Sequence, residues 1–219
     1  MEEYVNSIIL GDCLEFMRKL PDKCVDLVLT DPPYGIGVGK SLAAWKGVRA
    51  NQHGYTAKAW DESIPGKEYF AEMLRVSKHQ IIWGGNYFTD RLPNSSCWLV
   101  WNKLNGENDF ADCELAFTSF KKAVRLFEFR WQGMLQGDMK HKEARVHPTQ
   151  KPVPLFLWCL EQYSKPGDIV LDPFSGSGTT AIAAHRLGRR FICVEKDEEY
   201  HAASVERLRK EREQLLFQF

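Results

Sequence analysis

The chain has 219 residues, of which 44% are hydrophobic and 26% charged, a balance typical of one globular domain. Its 29 basic and 29 acidic side chains cancel, which argues against a general polyanion binder, and its apolar runs are too short to cross a membrane. The six cysteines form no C-x-x-C pair, so neither a zinc site nor a disulfide framework is indicated. Together with an acidic N-terminus that lacks an apolar segment, these features predict a cytoplasmic protein.

Short apolar runs alternate with helix-like segments along the chain, which predicts an α/β fold with a mostly parallel sheet. The predicted strands are 7–10, 25–30, 80–85, 97–101, 115–120, 168–171 and 190–194. The predicted helices are 14–20, 68–76, 152–163, 181–187 and 198–215. The strands 97–101 and 115–120 are close enough in sequence to form a hairpin, and we expect one domain over residues 1–219.

The predicted strand 25–30 ends in the turn Asp31-Pro32-Pro33-Tyr34. The two prolines have no backbone N–H, so the sheet cannot continue through them and the chain must leave it here. A carboxylate, the Pro32 carbonyl and a phenol ring are thereby held together at the carboxyl edge of a strand, where open α/β sheets bind ligands. The alternative interpretation is that Asp31 only caps a turn.

Two segments lack a regular hydrophobic period. Residues 36–62 are too long for an ordinary connection, and 38–60 contain four basic and no acidic side chains. Residues 121–146 contain seven basic and three acidic side chains, interleaved with aromatic residues. Such stretches suit nucleic-acid contacts, although solvated loops are the simpler alternative.

A second motif begins at Asp172, after the predicted strand 168–171, and runs through a glycine-rich turn into a helix. With the next strand ending in Glu195, it forms a βαβ unit of the kind that binds nucleosides. A P-loop would need a lysine where Thr179 stands, and an acid at position 172 would repel a dinucleotide's pyrophosphate. A nucleoside that carries an amino acid fits better, with ribose at Glu195 and an ammonium group near Asp172.

These motifs resemble those of the β group of amino-group DNA methyltransferases. The turn 31–34 resembles the family's catalytic motif, 172–180 its cofactor motif, and His147-Pro148-Thr149-Gln150-Lys151-Pro152 the segment that precedes the cofactor strand. The resemblance covers nearly the whole chain, in the family's order. It implies a Rossmann-like, seven-stranded methyltransferase sheet in a three-layer α/β/α arrangement, mostly parallel with one antiparallel strand. The sheet would be circularly permuted, with the N-terminal strand in third place.

The resemblance implies base flipping and direct methyl transfer from S-adenosylmethionine to an exocyclic amine of double-stranded DNA, without a metal. The implied catalytic positions are Asp31, Pro32, Pro33 and Tyr34. The implied cofactor positions are Asp12, Lys151, Asp172, Pro173, Phe174, Ser175, Gly176, Ser177, Gly178, Thr179, Thr180 and Glu195. In this assignment Asp31 and the Pro32 carbonyl accept hydrogen bonds from the amine's two N–H groups, and Tyr34 stacks on the base.

Several assignments keep an alternative. Asp12 binds the cofactor's adenine or caps the helix after it, and Lys151 lies near the cofactor's carboxylate or on the surface. Asn86 and Tyr87, after the predicted strand 80–85, line the target pocket or form a tight turn.

An acid at position 31 favours adenine N6 as the target, with cytosine N4 as the alternative. An NAD-dependent oxidoreductase and an inactive DNA-binding homologue are the alternatives from other classes. Residues 121–146 leave little room for a target-recognition region, so these residues and the loop 36–62 must together supply the DNA contacts. The recognition site is then short, or a partner subunit contributes; a homodimer and an accompanying restriction enzyme stay open.

Overall fold

Strands that carry apolar residues on both faces form a central sheet between two layers of helices. The computed structural model describes residues 1–37, 61–106, 111–132, 135–140 and 142–216. The strands are β1 (Ser7–Leu10), β2 (Val25–Thr30), β3 (Ser77–Trp83), β4 (Trp98–Asn102), β5 (Cys113–Thr118), β6 (Arg125–Glu128), β7 (Trp131–Gln132), β8 (Leu135–Gln136), β9 (Ile169–Asp172) and β10 (Arg190–Glu195). The helices are α1 (Cys13–Arg18), α2 (Lys67–Val76), α3 (Val153–Tyr163), α4 (Thr179–Arg186) and α5 (Glu198–Leu216).

The main sheet has the order β1-β10-β9-β2-β3-β5-β4-β6, and β7 pairs with β8 in a separate hairpin. Only β5 runs against its neighbours in this sheet, since it pairs antiparallel with both β3 and β4 while every other described pair is parallel. Counted from β9, the N-terminal strand β1 is third. The permuted, mostly parallel sheet with one antiparallel strand is therefore confirmed.

The sheet has eight strands instead of the expected seven. The additional strand, β6, comes from the basic segment 121–146 and pairs in parallel with β4 at the sheet's edge. Its side chains are mostly exposed, so the apolar run that marks a buried strand is missing from its sequence.

Successive residues of the buried strands point to opposite layers. On β9, Val170 packs with α3 and α4, whereas Ile169 and Leu171 pack with α1 and α2. Leu208 joins the first of these layers from α5. This arrangement gives the expected three-layer α/β/α architecture and leaves the carboxyl ends of the parallel strands uncovered by helices.

No helix in the described ranges is long and apolar enough to cross a membrane. Residues 38–60, which make up most of the expected DNA-contacting loop 36–62, lie outside the described residues.

Candidate active site at the carboxyl edge of the sheet

Three neighbouring parallel strands end at one edge of the sheet, where residues of the sequence motifs meet. The ends of β2, β9 and β10 carry Asp31, Asp172 and Glu195, and Val28 on β2 pairs with Leu171 on β9, so the strand ends that carry the first two acids are neighbours. A cleft that opens to solvent runs between Asp31, Lys151 and the glycine-rich turn. All three motif segments therefore contribute to one site.

The Asp31 carboxylate already has a donor on each of its oxygens. The Tyr34 hydroxyl donates to Oδ1 at 2.5 Å, and the Lys151 ammonium donates to Oδ2 at 2.6 Å. Burial raises the pKa of Asp31, an effect that Lys151 opposes and Glu114 reinforces. The carboxylate that the sequence assigns to catalysis is thus held in one orientation by two protein groups.

Lys151 joins Asp31 to a second acid, Glu114, which lies outside the sequence motifs. Its Nζ lies 3.0 Å from Glu114 Oε2, and Lys103 pairs with Glu114 Oε1 at 2.5 Å. The Lys151 side chain is only 7% exposed, so the surface-cation alternative is wrong. Its contact with the cofactor stays a prediction, because the partners that the structure gives it are Asp31, Glu114 and the Tyr34 hydroxyl.

The electrostatics of this cluster follow from two cations and two anions in a site that excludes most water. Although burial alone would raise the pKa of Glu114, Lys151 and Lys103 lower it to about 2. Burial alone would lower the pKa of Lys151, but Asp31 and Glu114 raise it above its ordinary value. Buried charges persist only when they are paired, and here each ion has an opposite charge within hydrogen-bonding distance.

The Tyr34 ring lies against the turn that follows β3. It stacks on Tyr87 with ring centroids 4.8 Å apart and an angle of 15° between the planes. Gly84 makes this approach available, since a Cβ at this residue, whose φ is +72°, would overlap the Tyr34 ring. The tight turn expected around Asn86 is present as the short 3₁₀ helix Gly85–Tyr87, and it contributes Tyr87 to the site.

Asp172 is surrounded by neutral donors. Thr30 and Thr180 donate their hydroxyls to its two oxygens, at 2.7 and 2.5 Å, and the Phe174 N–H donates at 3.1 Å. Burial raises the pKa of Asp172 to about 6, and the hydrogen bonds oppose this shift only in part. An acid in this position gains from a positively charged ligand, because no cation of the described chain pairs with it.

Helix α5 holds the glycine-rich turn in place. Gly178 (φ +76°) lets the chain enter α4, and Arg207 of α5 donates to the Ser177 carbonyl at 3.0 Å and to Thr179 Oγ1 at 3.2 Å. The same guanidinium pairs with Glu143 at 2.8 Å. Ser175 lines the cleft, and its buried hydroxyl neighbours the Cys193 thiol.

Glu195 and Asp12 lie at the ends of paired strands, since Leu10 on β1 pairs with Glu195 on β10. Glu195 accepts from the N–H groups of Gly176 and Asp197, at 2.7 and 2.8 Å, which orients its carboxylate beside the glycine-rich turn. Asp12 accepts from Leu14 N at 2.9 Å, so its role as the cap of α1 is confirmed. Its contact with an adenine stays a prediction.

The basic segment 121–146 separates its charges from its aromatic rings. Phe127 stacks on Trp158 of α3 with centroids 5.2 Å apart, and Trp131 is buried. The basic side chains on the exposed surface of this segment are Lys121, Lys122, Arg125, Arg130, Lys140 and Lys142. The aromatic residues therefore belong to the core, and only the cations are positioned to contact a polyanion.

Comparison with known proteins identifies relatives of the chain. The family described as DNA methylase, with the label N6/N4, matches residues 94–206. The protein YubD of Escherichia coli K12, described as a methylase, is 30% identical over 93% of this chain and 90% of its own length. The type II methyltransferase M.HinfI of Haemophilus influenzae is 27% identical over 96% of this chain and 70% of its own length.

Solved structures have the same fold. The complex of M1.HpyAVI with SAM has a TM-score of 0.57 and 22% identity, covering 92% of this chain and 98% of that one. The cytosine-N4-specific PvuII DNA methyltransferase has a TM-score of 0.61 and 16% identity, covering 96% of this chain and 92% of that one. At these identities the likeness establishes the architecture.

Proposed function

The chain belongs to the family of N6/N4 DNA methylases, and from that premise we propose that it transfers a methyl group from S-adenosylmethionine to N6 of adenine in double-stranded DNA. The observation that carries the proposal is the placement of Asp31 and Asp172 at neighbouring strand ends, on one cleft. Asp31 suits the amine that receives the methyl group, and Asp172 suits the ammonium group of the donor.

In the proposed reaction the residues of the turn 31–34 position the target. The Asp31 carboxylate and the Pro32 carbonyl accept hydrogen bonds from the two N–H groups of the amine. This orientation directs the lone pair of the nitrogen at the methyl group. The nitrogen forms its bond to the methyl carbon as the bond from that carbon to the donor sulfur breaks, and one of its protons then passes along its hydrogen bond to the Asp31 carboxylate. The Tyr34 ring stacks on Tyr87 in the structure, so in this proposal it leaves Tyr87 and stacks on the flipped base, a contact typically worth about 1–3 kcal/mol. Positioning and a preorganised electrostatic environment supply the catalysis.

The residues of the cleft fit the proposed cofactor, which supplies a methyl group on a positively charged sulfur when it is bound. Asp172 has no cation of the described chain beside it, and its carboxylate would pair with the α-ammonium. Ser175, which lines the cleft beside Asp172, is assigned in this proposal to the amino-acid part. Glu195, fixed by two backbone N–H groups, is placed to accept from ribose hydroxyls.

DNA contacts are assigned in this proposal to residues 36–62 and to the exposed cations of 121–146. The paired ions of the Asp31 cluster give that site little net charge, so attraction of the phosphate backbone must come from elsewhere. The cations beside β6 are exposed and lie outside the ion pairs of the Asp31 cluster.

Adenine and cytosine both carry an exocyclic amine that can donate a hydrogen bond to the Asp31 carboxylate. The acid at position 31 supports adenine by family resemblance, whereas the PvuII enzyme, which has the same fold, is named as specific for cytosine N4. Cytosine N4 is therefore the second candidate.

The test is incubation of the protein with unmethylated DNA and methyl-labelled S-adenosylmethionine, followed by mass spectrometry of the nucleosides. We expect label in N6-methyladenine, with none in a matched reaction on single nucleosides. Label in N4-methylcytosine would replace the adenine assignment with the second candidate, and label in neither base would contradict the proposal. Sequencing of the methylated DNA then returns the recognition site.

A further inference from the structure

We propose that Glu114 is a positioning residue for methyl transfer: it holds the Lys151 ammonium while the target's amino group takes that ammonium's place on Asp31. The inference rests on the proposed function, because it concerns the reaction assigned to Asp31. Glu114 is absent from every motif that the sequence analysis used, and it lies on β5, the one antiparallel strand of the sheet.

The first step of the argument is that Asp31 has no oxygen without a donor. Tyr34 occupies Oδ1 and Lys151 occupies Oδ2. An incoming amine that donates to Asp31 must therefore displace one of them or share its oxygen. Both oxygens of a carboxylate can accept more than one hydrogen bond, but a short charged contact at 2.6 Å leaves little room on Oδ2.

The second step is that Lys151 has a second anion within reach before the amine arrives. Glu114 Oε2 lies 3.0 Å from Nζ, so a small movement of the ammonium exchanges one carboxylate for the other. Without Glu114, release of Lys151 from Asp31 would leave a buried cation unpaired, which is strongly unfavourable. With Glu114, the cation stays paired throughout the exchange.

The third step is that Glu114 is itself held in place. Lys103 binds Oε1 at 2.5 Å and lies over the Trp101 ring at 5.3 Å, which leaves Oε2 to Lys151 at 3.0 Å and to the Tyr34 hydroxyl at 3.3 Å. The glutamate is 17% exposed and belongs to a strand paired on both sides. A fixed acceptor of this kind defines where the displaced ammonium goes.

The experiment compares wild type with Glu114→Gln, Lys151→Met and the double variant on the DNA that the wild type methylates. In Glu114→Gln the Lys151 ammonium has only Asp31 to pair with, so it competes with the amine and we expect kcat to fall by about tenfold or more. Affinity for S-adenosylmethionine should stay within about twofold of wild type, since Glu114 does not line the cleft. The acid limb of the kcat profile should move to lower pH, because loss of a neighbouring negative charge lowers the pKa of Asp31.

The double variant separates positioning from a structural role. Removal of Lys151 from the Glu114→Gln background removes the competing cation, so kcat at the optimum pH should rise at least about threefold above that of Glu114→Gln. Glu72→Gln is the matched control: Glu72 is 19% exposed, pairs with Arg75 on α2, and should keep the wild-type kcat.

Three results would overturn the inference alone while wild type is active. The first is that Glu114→Gln has the same kcat and pH profile as wild type. The second is that the double variant is no faster than Glu114→Gln. The third is that a loss of cofactor affinity in Glu114→Gln accounts for its whole loss of kcat. A wild type that methylates no DNA would instead remove the proposed function, and this inference with it.

Discussion

Strands β2 and β9 lie side by side and both end in an Asp-Pro turn followed by an aromatic residue, yet their two carboxylates have different surroundings. Asp31 is bound by an ammonium and a phenol, and its cluster balances two cations against two anions. Asp172 is bound by two hydroxyls and one backbone N–H, and no described cation compensates its charge. Similar local sequence thus produces one acid with its counter-ion built in and one that lacks it.

The difference comes from what distant segments bring to each strand end. Lys151 reaches Asp31 from the chain just before α3, and Glu114 reaches the same cluster from β5. At Asp172 the neighbouring side chains are Thr30 from β2 and Thr180 from α4. A neutral substrate amine suits the compensated acid, and a charged ligand suits the uncompensated one.

The largest expected effect is at the compensated acid. Asp31→Ala should lower kcat by roughly 100-fold or more, the range seen when one aimed polar partner of a reacting centre is removed. Lys151 keeps Glu114 as its partner in this variant, so the fold and the cleft should persist. Label transfer to DNA measures kcat, and calorimetric titration should show cofactor affinity near wild type. Activity that survived would remove Asp31 from the reaction.

The second largest expected effect is at Asp172, the uncompensated acid, and it concerns cofactor affinity instead of kcat. Asp172→Asn should weaken S-adenosylmethionine binding by roughly ten- to hundredfold, because a charge-assisted hydrogen bond typically contributes about 1.5–3 kcal/mol. Without ligand, the Tm at pH 7 should equal or exceed that of wild type. The reason is that a raised carboxyl pKa makes the ionised form a cost to the folded state above about pH 6.

A clear fall in the Tm of Asp172→Asn, with cofactor affinity unchanged, would assign Asp172 to structure and remove the contrast between the two acids. Thermal denaturation without ligand and calorimetric titration with S-adenosylmethionine provide the two measurements.

The smallest expected effect is a pH dependence of cofactor binding. Since the pKa of Asp172 is about 6, roughly nine-tenths of the free protein carries a protonated Asp172 at pH 5. The ammonium ligand prefers the ionised form, so the Kd at pH 5 should be about tenfold higher than at pH 8. Asp31→Ala should retain this dependence at somewhat lower pH, because the Asp31 charge contributes to the raised pKa of Asp172, and Asp172→Asn should lose it. The same slope in both variants would place the titrating group elsewhere.

Local signals in the sequence were sufficient for most of the strands, and the family resemblance supplied the place of the N-terminal strand and the convergence of the motifs. Apolar runs, proline stops and glycine turns are local signals, and the parallel topology then brings Asp31 and Asp172 to one edge. Chemical partners were harder to predict. Lys151 and Glu114 are 37 positions apart and meet only because the loop before α3 passes the start of β5, and no spacing rule encodes that contact.

A signal for Glu114 exists all the same. It is a lone acid near the start of the otherwise apolar strand Cys113-Glu114-Leu115-Ala116-Phe117, where a buried charge requires a partner. The sequence signal for the inward position of the Tyr34 ring is Gly84, since the ring occupies the space that a side chain at this residue would fill. Strand β6 was missed because its exposed face carries no apolar alternation.

The pairing of β1 with β10 has a consequence for how the protein folds. Residues Ser7–Leu10 form their ladder with residues Ile192–Glu195, so this edge of the sheet closes contacts that span almost the whole chain. During synthesis β1 emerges before β10, and the strands between them in sequence are made before this pairing can form. Folding that depends on such distant pairing is slow, and β1 is exposed to mispairing until β10 has been made.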